Sequence, residues 1–534
     1  MIDMNHTAAD GHRPHRRRRL LIGVVAAALA VMSTAVVSSV RGTQTTATPP
    51  TSAGGTPAVS GDTNTDDKAR PVRPALPGNS VKCPFDTSSF DLQLQCGRVQ
   101  VPENHDTGSG EVALLVTIAR SPGTPTKPPL LLLAGGPGIG GVAEYAPLLS
   151  DDAGRRLAAG RDLVIVDQRG TGFTKPRLQC PIIDPAVQAT AAASRQVGAQ
   201  CVSEYRKTGI DVAAFTTAAA AADLVAVRKA LGLPSWDVYG VSYGTTLALT
   251  LLRHADNGVD RVVLDSVSPV QDVTLAVDVV AKDAYLRILL TDCARDRACA
   301  HEHPNLDSRL TAALPRLNKN PLNLGDTPIS GDALLFFVTN TAVATRENRP
   351  RLPDVIDAAL HGDGGPLAAV IEGAGDDPSL PTTILESAAN DGLGLAVTCA
   401  EDAPLFTRDV TDRLTDRGPY AAALTRLTSN YLAACQTWDL PTLPAGAKAP
   451  VQSNRPTLTI SGEQDPSTPP SGAARAAHTL PNSQQIVVPN EGHATLFNTR
   501  PNSCLTDTLK DFLDRSPIAP TRCLLADYPP LPFQ

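Results

Sequence analysis

The stretch DVYGVSYGTTLAL, residues 237–249, determines how the rest of the chain is interpreted. A short apolar run ends at Gly240, a turn follows, and a helical pattern begins directly after Gly244. A serine on a sharp turn between a strand and a helix is the setting of an enzymatic nucleophile. Serines between glycines also occur in plain strand-to-helix connections, so a nucleophilic role for Ser242 needs support from the rest of the chain.

Apolar runs on both sides of this stretch predict an α/β fold. Residues 92–101 and 112–120 indicate an early pair of strands. Further strand-like runs alternate with helical patterns, and these runs are PPLLLLAGG (128–136), DLVIVDQRG (162–170), WDVYG (236–240) and RVVLD (261–265). Strands that alternate with helices imply a parallel sheet with helices packed on its faces.

The pattern becomes mainly helical after Val267, and strand-like runs return at 456–462 and 484–489. We therefore expect a helical cap inserted into one α/β domain, over the carboxyl ends of the strands where such sheets bind ligands. The predicted division is an export signal or membrane anchor at 1–41, a flexible linker at 42–80, the first part of the α/β core at 81–267, the cap at 268–445 and the C-terminal part of the core at 446–534.

The N-terminus has the order of an export signal. The basic cluster HRPHRRRRL (12–20) precedes an apolar run at 20–40, and residues 42–80 are rich in Thr, Pro, Ser and Gly, as in a flexible tether. The apolar run is also long enough to span a bilayer, so a cleaved signal and a retained membrane anchor both stay open. Either predicts a secreted or extracytoplasmic body, because the basic residues stay inside.

Composition limits the classes of partner. The chain has 534 residues with a net charge of −7, and residues 1–41 contain six Arg and two Asp, which leaves −11 on the remainder. An acidic body argues against nucleic acid as the main partner. The sequence carries no signal for the oligomeric state.

Ten cysteines fit an oxidising compartment. Their even number and local spacing suggest disulfides between sequential neighbours, although the sequence alone leaves the connectivity open. Zinc ligation is the weaker alternative, since the chain has no C-x-x-C pair. The expected pairs are 83–96, 180–201, 293–299, 399–435 and 504–523.

A glycine-rich loop supplies the donors that acyl transfer needs. AGGPGIGG (134–141) follows a buried strand, and we expect the backbone N–H of Gly136 to form an oxyanion hole with the N–H of Tyr243. Phosphate binding is the competing use of such a loop, and the absence of G-K-[ST] from the sequence disfavours it.

The acid and the base should follow the serine in the order Ser, Asp, His. Asp465, in GEQDPSTPP, is preferred over Asp265, which ends a strand and is expected to satisfy backbone donors there. His493, in NEGHATLF, follows a strand and is preferred over His478 on a short helix. His301 and His303, in CAHEHP, could imitate a metal pair, but a solvated cap loop is favoured, and no metal or organic cofactor is implied.

The motifs AGGPG, DQRGTG, GVSYGTTLAL and GEQDPSTPP, with the late Gly-His, resemble those of a known family. They are similar to the α/β-hydrolase-fold serine peptidases related to prolyl aminopeptidases, in particular the secreted tripeptidyl aminopeptidase branch. The resemblance covers about residues 80–530. It implies an α/β-hydrolase fold with an inserted helical cap, and Ser242, Asp465 and His493 as nucleophile, orienting acid and base.

An aminopeptidase must also bind a free α-amine, for which a carboxylate is the natural partner. Related peptidases have an acidic residue two positions after a comparable cysteine, which corresponds to Glu401, and Asp402 is its neighbour. The alternative is a surface acidic pair near a disulfide.

The favoured function is a secreted serine exopeptidase that releases short peptides, tripeptides among them, from substrates with free N-termini through an acyl-enzyme. An extracytoplasmic carboxylesterase or lipase could use the same triad, because the fold does not settle the substrate class. A third hypothesis is a catalytically idle surface protein that binds ligands with its cap.

Overall fold

A computed structural model describes residues 72–533, apart from positions 79, 181–189, 325–326, 345, 374–380, 389–390, 497–503 and 519–521. The export segment predicted at 20–40, and all but the last residues of the linker predicted at 42–80, lie outside this part of the chain. Within it, no helix combines the length and the apolar character that a membrane crossing requires.

Eight strands form one sheet in the order β1-β2-β4-β3-β5-β6-β9-β10. The first two pairings, β1 with β2 and β2 with β4, are antiparallel, and the remaining strands run parallel. A separate antiparallel pair is formed by β7 and β8. The strands are β1 (Leu94–Val101), β2 (Val112–Ala119), β3 (Leu130–Leu133), β4 (Leu163–Val166), β5 (Trp236–Val241), β6 (Val259–Asp265), β7 (Leu322–Leu324), β8 (Thr327–Ile329), β9 (Thr457–Gly462) and β10 (Ser483–Val488).

The central strands are apolar because both faces of the sheet are covered. All four residues of β3 (LLLL) and of β4 (LVIV) are buried, and so are all six of β5. Two apolar cores contact the strands, one on each face of the sheet. The predicted α/β fold class with a largely parallel sheet is therefore confirmed.

The helices lie on both faces of the sheet and in a long segment between β6 and β9. That segment contains helices α6 to α15, and most of its buried apolar side chains form a third core of their own. The limits 268–445 assigned to the cap stay a prediction. The helices are α1 (Gly141–Leu149), α2 (Asp152–Leu157), α3 (Ala191–Thr208), α4 (Thr217–Ala230), α5 (Tyr243–Ala255), α6 (Thr274–Arg295), α7 (Arg297–Glu302), α8 (Leu306–Lys319), α9 (Gly331–Ala344), α10 (Leu352–Leu360), α11 (Gly365–Gly373), α12 (Thr382–Ala388), α13 (Asp391–Val397), α14 (Arg408–Thr415), α15 (Pro419–Leu432), α16 (Pro470–Ala477), α17 (Cys504–Leu513) and α18 (Arg522–Asp527).

Five disulfides join sequential cysteines, as expected from their spacing. This pattern suggests an extracellular protein, since disulfides persist in oxidising compartments. The pairs are Cys83–Cys96, Cys180–Cys201, Cys293–Cys299, Cys399–Cys435 and Cys504–Cys523.

The carboxyl ends of the parallel strands place four segments with candidate site residues at one edge of the sheet. The glycine loop follows β3, Ser242 follows β5, and the loops with Asp465 and His493 follow β9 and β10. Parallel strands present their carboxyl ends on the same side, so residues that are far apart in the chain meet there.

Candidate active site

Ser242 lies on a strained turn between β5 and α5. Its φ of 54° and ψ of −123° are unusual for a residue with a side chain, and such strain persists where the surroundings hold it in place. Two glycines permit the turn. A Cβ atom on Gly240 would lie 2.4 Å from the carbonyl oxygen of Gly244, and one on Gly244 would lie 2.2 Å from the carbonyl oxygen of Leu133.

Backbone donors lie beside this turn. Tyr243 is the first residue of α5, so its N–H has no acceptor within the helix. The glycine loop passes against the serine, since a Cβ atom on Gly135 would lie 3.2 Å from Ser242 Cβ. Gly136 has a φ of 107° and lines the same cavity as Ser242 and Tyr243. The structure therefore brings both residues predicted for the oxyanion hole to the serine.

Asp465 and His493 are fully buried and bonded to each other. His493 Nδ1 lies 2.9 Å from Asp465 Oδ2, while Oδ1 accepts hydrogen bonds of 2.8 Å from the N–H groups of Ser467 and Thr468. Burial alone would raise the pKa of Asp465, but the charge of His493 and these hydrogen bonds lower it to about 2. The carboxylate is thus ionised, and Nδ1 of His493 carries the proton that it donates.

The charge of Asp465 also controls the basicity of His493. Burial disfavours the imidazolium, but the charge and hydrogen bond of Asp465 outweigh it and raise the pKa of His493 above 6.5. Thr468 completes the arrangement: its hydroxyl donates to Asp465 Oδ2 at 2.8 Å, and its oxygen lies 3.0 Å from His493 Nδ1. The sequence analysis did not identify Thr468. Its position three residues after Asp465, in a loop rich in turn residues, could have indicated a hydrogen bond to that carboxylate.

Asp265, the other candidate acid, has a different set of partners. Its carboxylate accepts hydrogen bonds from the N–H groups of Thr495 and Leu496, at 3.2 and 2.9 Å, and from the Tyr239 hydroxyl at 2.7 Å. The expectation that it satisfies backbone donors is confirmed. Its carbonyl oxygen also accepts the N–H of Ser242 at 2.9 Å. Asp265 therefore joins the serine turn to the loop that follows His493.

The remaining histidines lie elsewhere. His478 is exposed at the end of α16, as expected. His301 is exposed, but His303 is only 8% exposed, so the expectation of a solvated loop is wrong for that residue. It is buried because carboxylates on α10 surround its ring, a long-range contact that the sequence does not reveal.

A cavity of about 270 Å³ lies between the sheet edge and the helical segment that covers it. Its walls are mainly apolar and come from α6, α9, α13 and α15. Five ionisable side chains interrupt these walls: three carboxylates and two lysines. The apolar residues are Leu275, Val279, Phe336, Val397, Leu424 and Leu427, and the ionisable residues are Asp278, Glu401, Asp402, Lys282 and Lys448.

Glu401 and Asp402 line this cavity from a single π-helical turn, Thr398–Asp402. They are 8% and 7% exposed, so the alternative of a surface acidic pair is wrong. Burial raises the pKa of Glu401 despite its hydrogen bonds to Thr217. Asp402 accepts from the N–H of Thr274 and from Lys448 Nζ, both at 3.3 Å. The disulfide of Cys399 ties this turn to the chain beyond α15.

A second polar cluster in the cavity was not expected from the sequence. Asp278 on α6 is paired with Lys282, one helical turn later, and also accepts a hydrogen bond of 3.0 Å from the Ser467 hydroxyl. Ser467 belongs to the loop that holds Asp465, so this contact connects the helical segment to that loop. The i,i+4 spacing of Asp278 and Lys282 was visible, but their contact with Ser467 depends on tertiary packing.

This arrangement has the parts that nucleophilic acyl transfer requires. A hydroxyl needs a base that takes its proton, a third group that orients the base, and donors for the oxyanion. The site also has a cavity with carboxylates, where a substrate could be held.

Comparisons with known proteins agree with the fold and with a serine hydrolase. A family model described as alpha/beta hydrolase fold matches residues 128–352, and one described as TAP-like protein matches residues 421–522. The serine protease Hip1 of Mycobacterium tuberculosis is 26% identical over 456 residues, which is 78% of this chain and 84% of that protein. The tripeptidyl aminopeptidase of Streptomyces coelicolor is 30% identical over 189 residues, covering 33% of this chain and 35% of that protein.

Among solved structures, the proline iminopeptidase of Mycobacterium smegmatis is 16% identical, with a TM-score of 0.36, and the match covers 80% of this chain and 99% of that one. The fold and the matched models define a serine hydrolase with the α/β-hydrolase fold. Within that class, the matched relatives support an α/β-hydrolase-fold serine peptidase of the group related to prolyl aminopeptidases.

Proposed function

We propose that this peptidase is a secreted exopeptidase that releases short peptides, tripeptides among them, from free N-termini through an acyl-enzyme. The observation that carries the proposal is the pair of buried carboxylates, Glu401 and Asp402, in the same cavity as Ser242. Burial raises the pKa of Glu401 despite its hydrogen bonds to Thr217, so a cation such as the ammonium group of a peptide with a free N-terminus would stabilise the charged carboxylate.

The proposed reaction begins at Ser242. His493 Nε2 takes the proton of the hydroxyl as Oγ attacks the carbonyl carbon of the scissile bond, while Asp465 stabilises the imidazolium that forms. The N–H groups of Gly136 and Tyr243 donate to the resulting oxyanion. When the tetrahedral intermediate collapses, His493 gives its proton to the leaving amine and the acyl group stays on Ser242. A water molecule then repeats the sequence and releases the peptide.

A chain of hydrogen bonds links the proposed amine site to the side chain of Tyr243. Thr217 donates to Glu401, and its Oγ1 lies 2.9 Å from the hydroxyl of Tyr243, the residue after the nucleophile. Substrate bound with its ammonium group at Glu401 would extend along the apolar walls toward Ser242. The helical segment over the cavity would then limit the length of the acyl portion, which favours release of short N-terminal peptides.

Location outside the cytoplasmic membrane is supported by the five disulfides. The basic cluster and the apolar run at 20–40 are consistent with export, either with cleavage or with retention as a membrane anchor. Mass spectrometry of the mature protein recovered from the producing cells would separate these two fates by its N-terminal residue.

The test compares tripeptide anilides with free and acetylated N-termini, alongside short-chain nitrophenyl esters. We expect kcat/KM on the free peptide to exceed that on the acetylated one by about 10- to 100-fold, since a desolvated ammonium–carboxylate contact contributes about 1.5–3 kcal/mol. Ester turnover without peptide cleavage would favour the carboxylesterase. Cleavage of blocked peptides at internal bonds would indicate an endopeptidase. A Ser242→Ala preparation shows whether a contaminating protease contributes.

A further inference from the structure

A cluster of histidine and carboxylate side chains lies in the helical segment, outside the cavity beside Ser242. Glu302 and His303 are at the end of α7, and Asp354 is in the first turn of α10. We infer that these three residues form a zinc site. The inference is independent of the proposed peptidase function, because none of the three side chains lines the Ser242 cavity.

The ligand atoms are close enough to share one ion. One nitrogen of His303 and one carboxylate oxygen each from Glu302 and Asp354 all lie within 4.8 Å of one another. Zinc binds imidazole nitrogen and carboxylate oxygen at about 2.0–2.2 Å, so neighbouring ligand atoms in a zinc site are about 3–3.5 Å apart. The side chains of Glu302 and Asp354 are exposed, so small rotations can bring their carboxylate oxygens to the distances that zinc coordination requires.

The imidazole of His303 points to a ligand rather than to a simple ion pair. The residue is 8% exposed, and its Nε2 lies 2.9 Å from Asp354 Oδ1. Among the described residues, however, no group makes a hydrogen bond to Nε2, because this short contact lacks hydrogen-bond geometry. A buried ring nitrogen that lies beside a carboxylate oxygen and makes no hydrogen bond is placed as two ligands of a shared cation would be.

The other ring nitrogen has the partner that a metal-binding histidine requires. His303 Nδ1 lies 2.9 Å from Asp357 Oδ2, and Asp357 also pairs with Arg309. Carboxylates in this position orient the ring, favour a proton on Nδ1 and leave the Nε2 lone pair directed at the metal. An ion bound there would join the end of α7 to α10. The helix α7 is already tied to α6 by the disulfide Cys293–Cys299.

One nitrogen and two oxygen ligands favour zinc over calcium. Calcium takes oxygen ligands almost exclusively, whereas imidazole suits zinc and its neighbours in the transition series. Because the two carboxylates are exposed, water can occupy the fourth position. Because an ion there would join α7 to α10, we assign the site a stabilising role in the helical segment.

Titration calorimetry of the purified, EDTA-treated and dialysed full chain with ZnCl₂ tests the assignment. We expect one equivalent of Zn²⁺ to bind, much weaker binding of Ca²⁺, and a rise in Tm of at least about 2 °C with excess Zn²⁺. Asp354→Asn should weaken Zn²⁺ binding at least about tenfold and abolish the rise in Tm. Glu302→Gln, another exposed position, provides a second variant that does not disturb the buried ring.

Asp409→Asn is the matched control, since Asp409 is an exposed carboxylate in the first turn of another helix of the same segment. It should bind Zn²⁺ like the parent protein. The zinc assignment would be overturned if the parent bound no Zn²⁺. It would also be overturned if Asp354→Asn and Glu302→Gln both bound Zn²⁺ as tightly as the parent. Either result would leave His303 as the centre of an ion-pair cluster alone.

Discussion

Both carboxylate oxygens of Glu401 accept hydrogen bonds from Thr217, one of 2.7 Å from its backbone N–H and one of 2.9 Å from its hydroxyl. Thr217 is the first residue of α4, where unpaired N–H groups and the helix dipole favour a negative charge. Burial opposes that charge and raises the pKa of the carboxyl group. A positively charged group in the cavity, such as a substrate ammonium group, would stabilise the charged form of Glu401 and would therefore bind favourably.

Replacing Glu401 with glutamine tests this role directly. Gln keeps an acceptor for Thr217 but loses the charge, so we expect KM for free tripeptide anilides to rise by about 10- to 100-fold, equivalent to about 1.5–3 kcal/mol. Turnover of nitrophenyl esters should change little, because they carry no ammonium group. Asp402→Asn is a second variant in the same site, and it measures how much Asp402 contributes to amine binding. An equal loss on both substrate types would remove Glu401 from amine binding.

Replacing Ser242 with alanine tests the nucleophile. We expect kcat on peptides and on esters to fall by at least about 10⁴-fold, because without the hydroxyl no acyl-enzyme can form. Ser268→Ala is a suitable control, since Ser268 lines the same cavity and its hydrogen bonds to Thr245 and Thr246 use backbone atoms. Unchanged activity of Ser242→Ala, measured with an unchanged Tm, would show that the reaction uses another residue.

The pH dependence of ester hydrolysis should report the pKa of His493. The base must be neutral, so kcat/KM rises with pH through a pKa that Asp465 holds above 6.5. Esters isolate this effect, because both the substrate amine and Glu401 titrate in assays with free peptides. With ester substrates, Glu401→Gln should therefore show the same rise of kcat/KM with pH as the parent protein. If kcat/KM on esters rose with an apparent pKa well below 6.5, the coupling between His493 and Asp465 would be contradicted.

Glu491 predicts a pH dependence of stability that is separate from catalysis. Its carboxyl group is fully buried and accepts a hydrogen bond of 2.9 Å from the N–H of Gly492. Burial raises the pKa of this group from 4.5 to about 8. The charge of Arg346 lowers this pKa, whereas the charges of Glu347 and Asp265 raise it. Because the folded state holds this proton more tightly, the stabilisation is complete below about pH 4.5. It is lost as pH rises to about 8.

The variant Glu491→Gln cannot lose that proton. Its Tm relative to the parent protein should increase between pH 5 and pH 8.5, as measured by thermal unfolding at constant ionic strength. Glu111→Gln, at an exposed position, should follow the parent at every pH. A constant difference in Tm between Glu491→Gln and the parent would show that Glu491 does not titrate in this range.

Local features of the sequence were sufficient for much of the fold and of the candidate site. The turn at Ser242 could be predicted because Gly240 and Gly244 occupy positions where a Cβ atom would collide with backbone. Asp465 and His493 follow strands of the sheet that run parallel to each other, which places both residues at one sheet edge. The disulfides also join cysteines that are close in sequence, where short loops make pairing straightforward.

Contacts between distant segments could not be derived in this way. His493 pairs with Asp465, whereas Asp265 binds the loop that follows His493. Which of the two carboxylates lies against the imidazole depends on the order of the strands in the sheet. Glu401 meets Thr217 across 184 positions of sequence, and His303 meets Asp357 across 54. The sequence by itself determined the strands of the main sheet, the serine turn and the types of residue at the site, but not the short pair β7 and β8. The tertiary structure alone determined which charges are buried together, because burial and pairing depend on packing between segments that carry no local signal of each other.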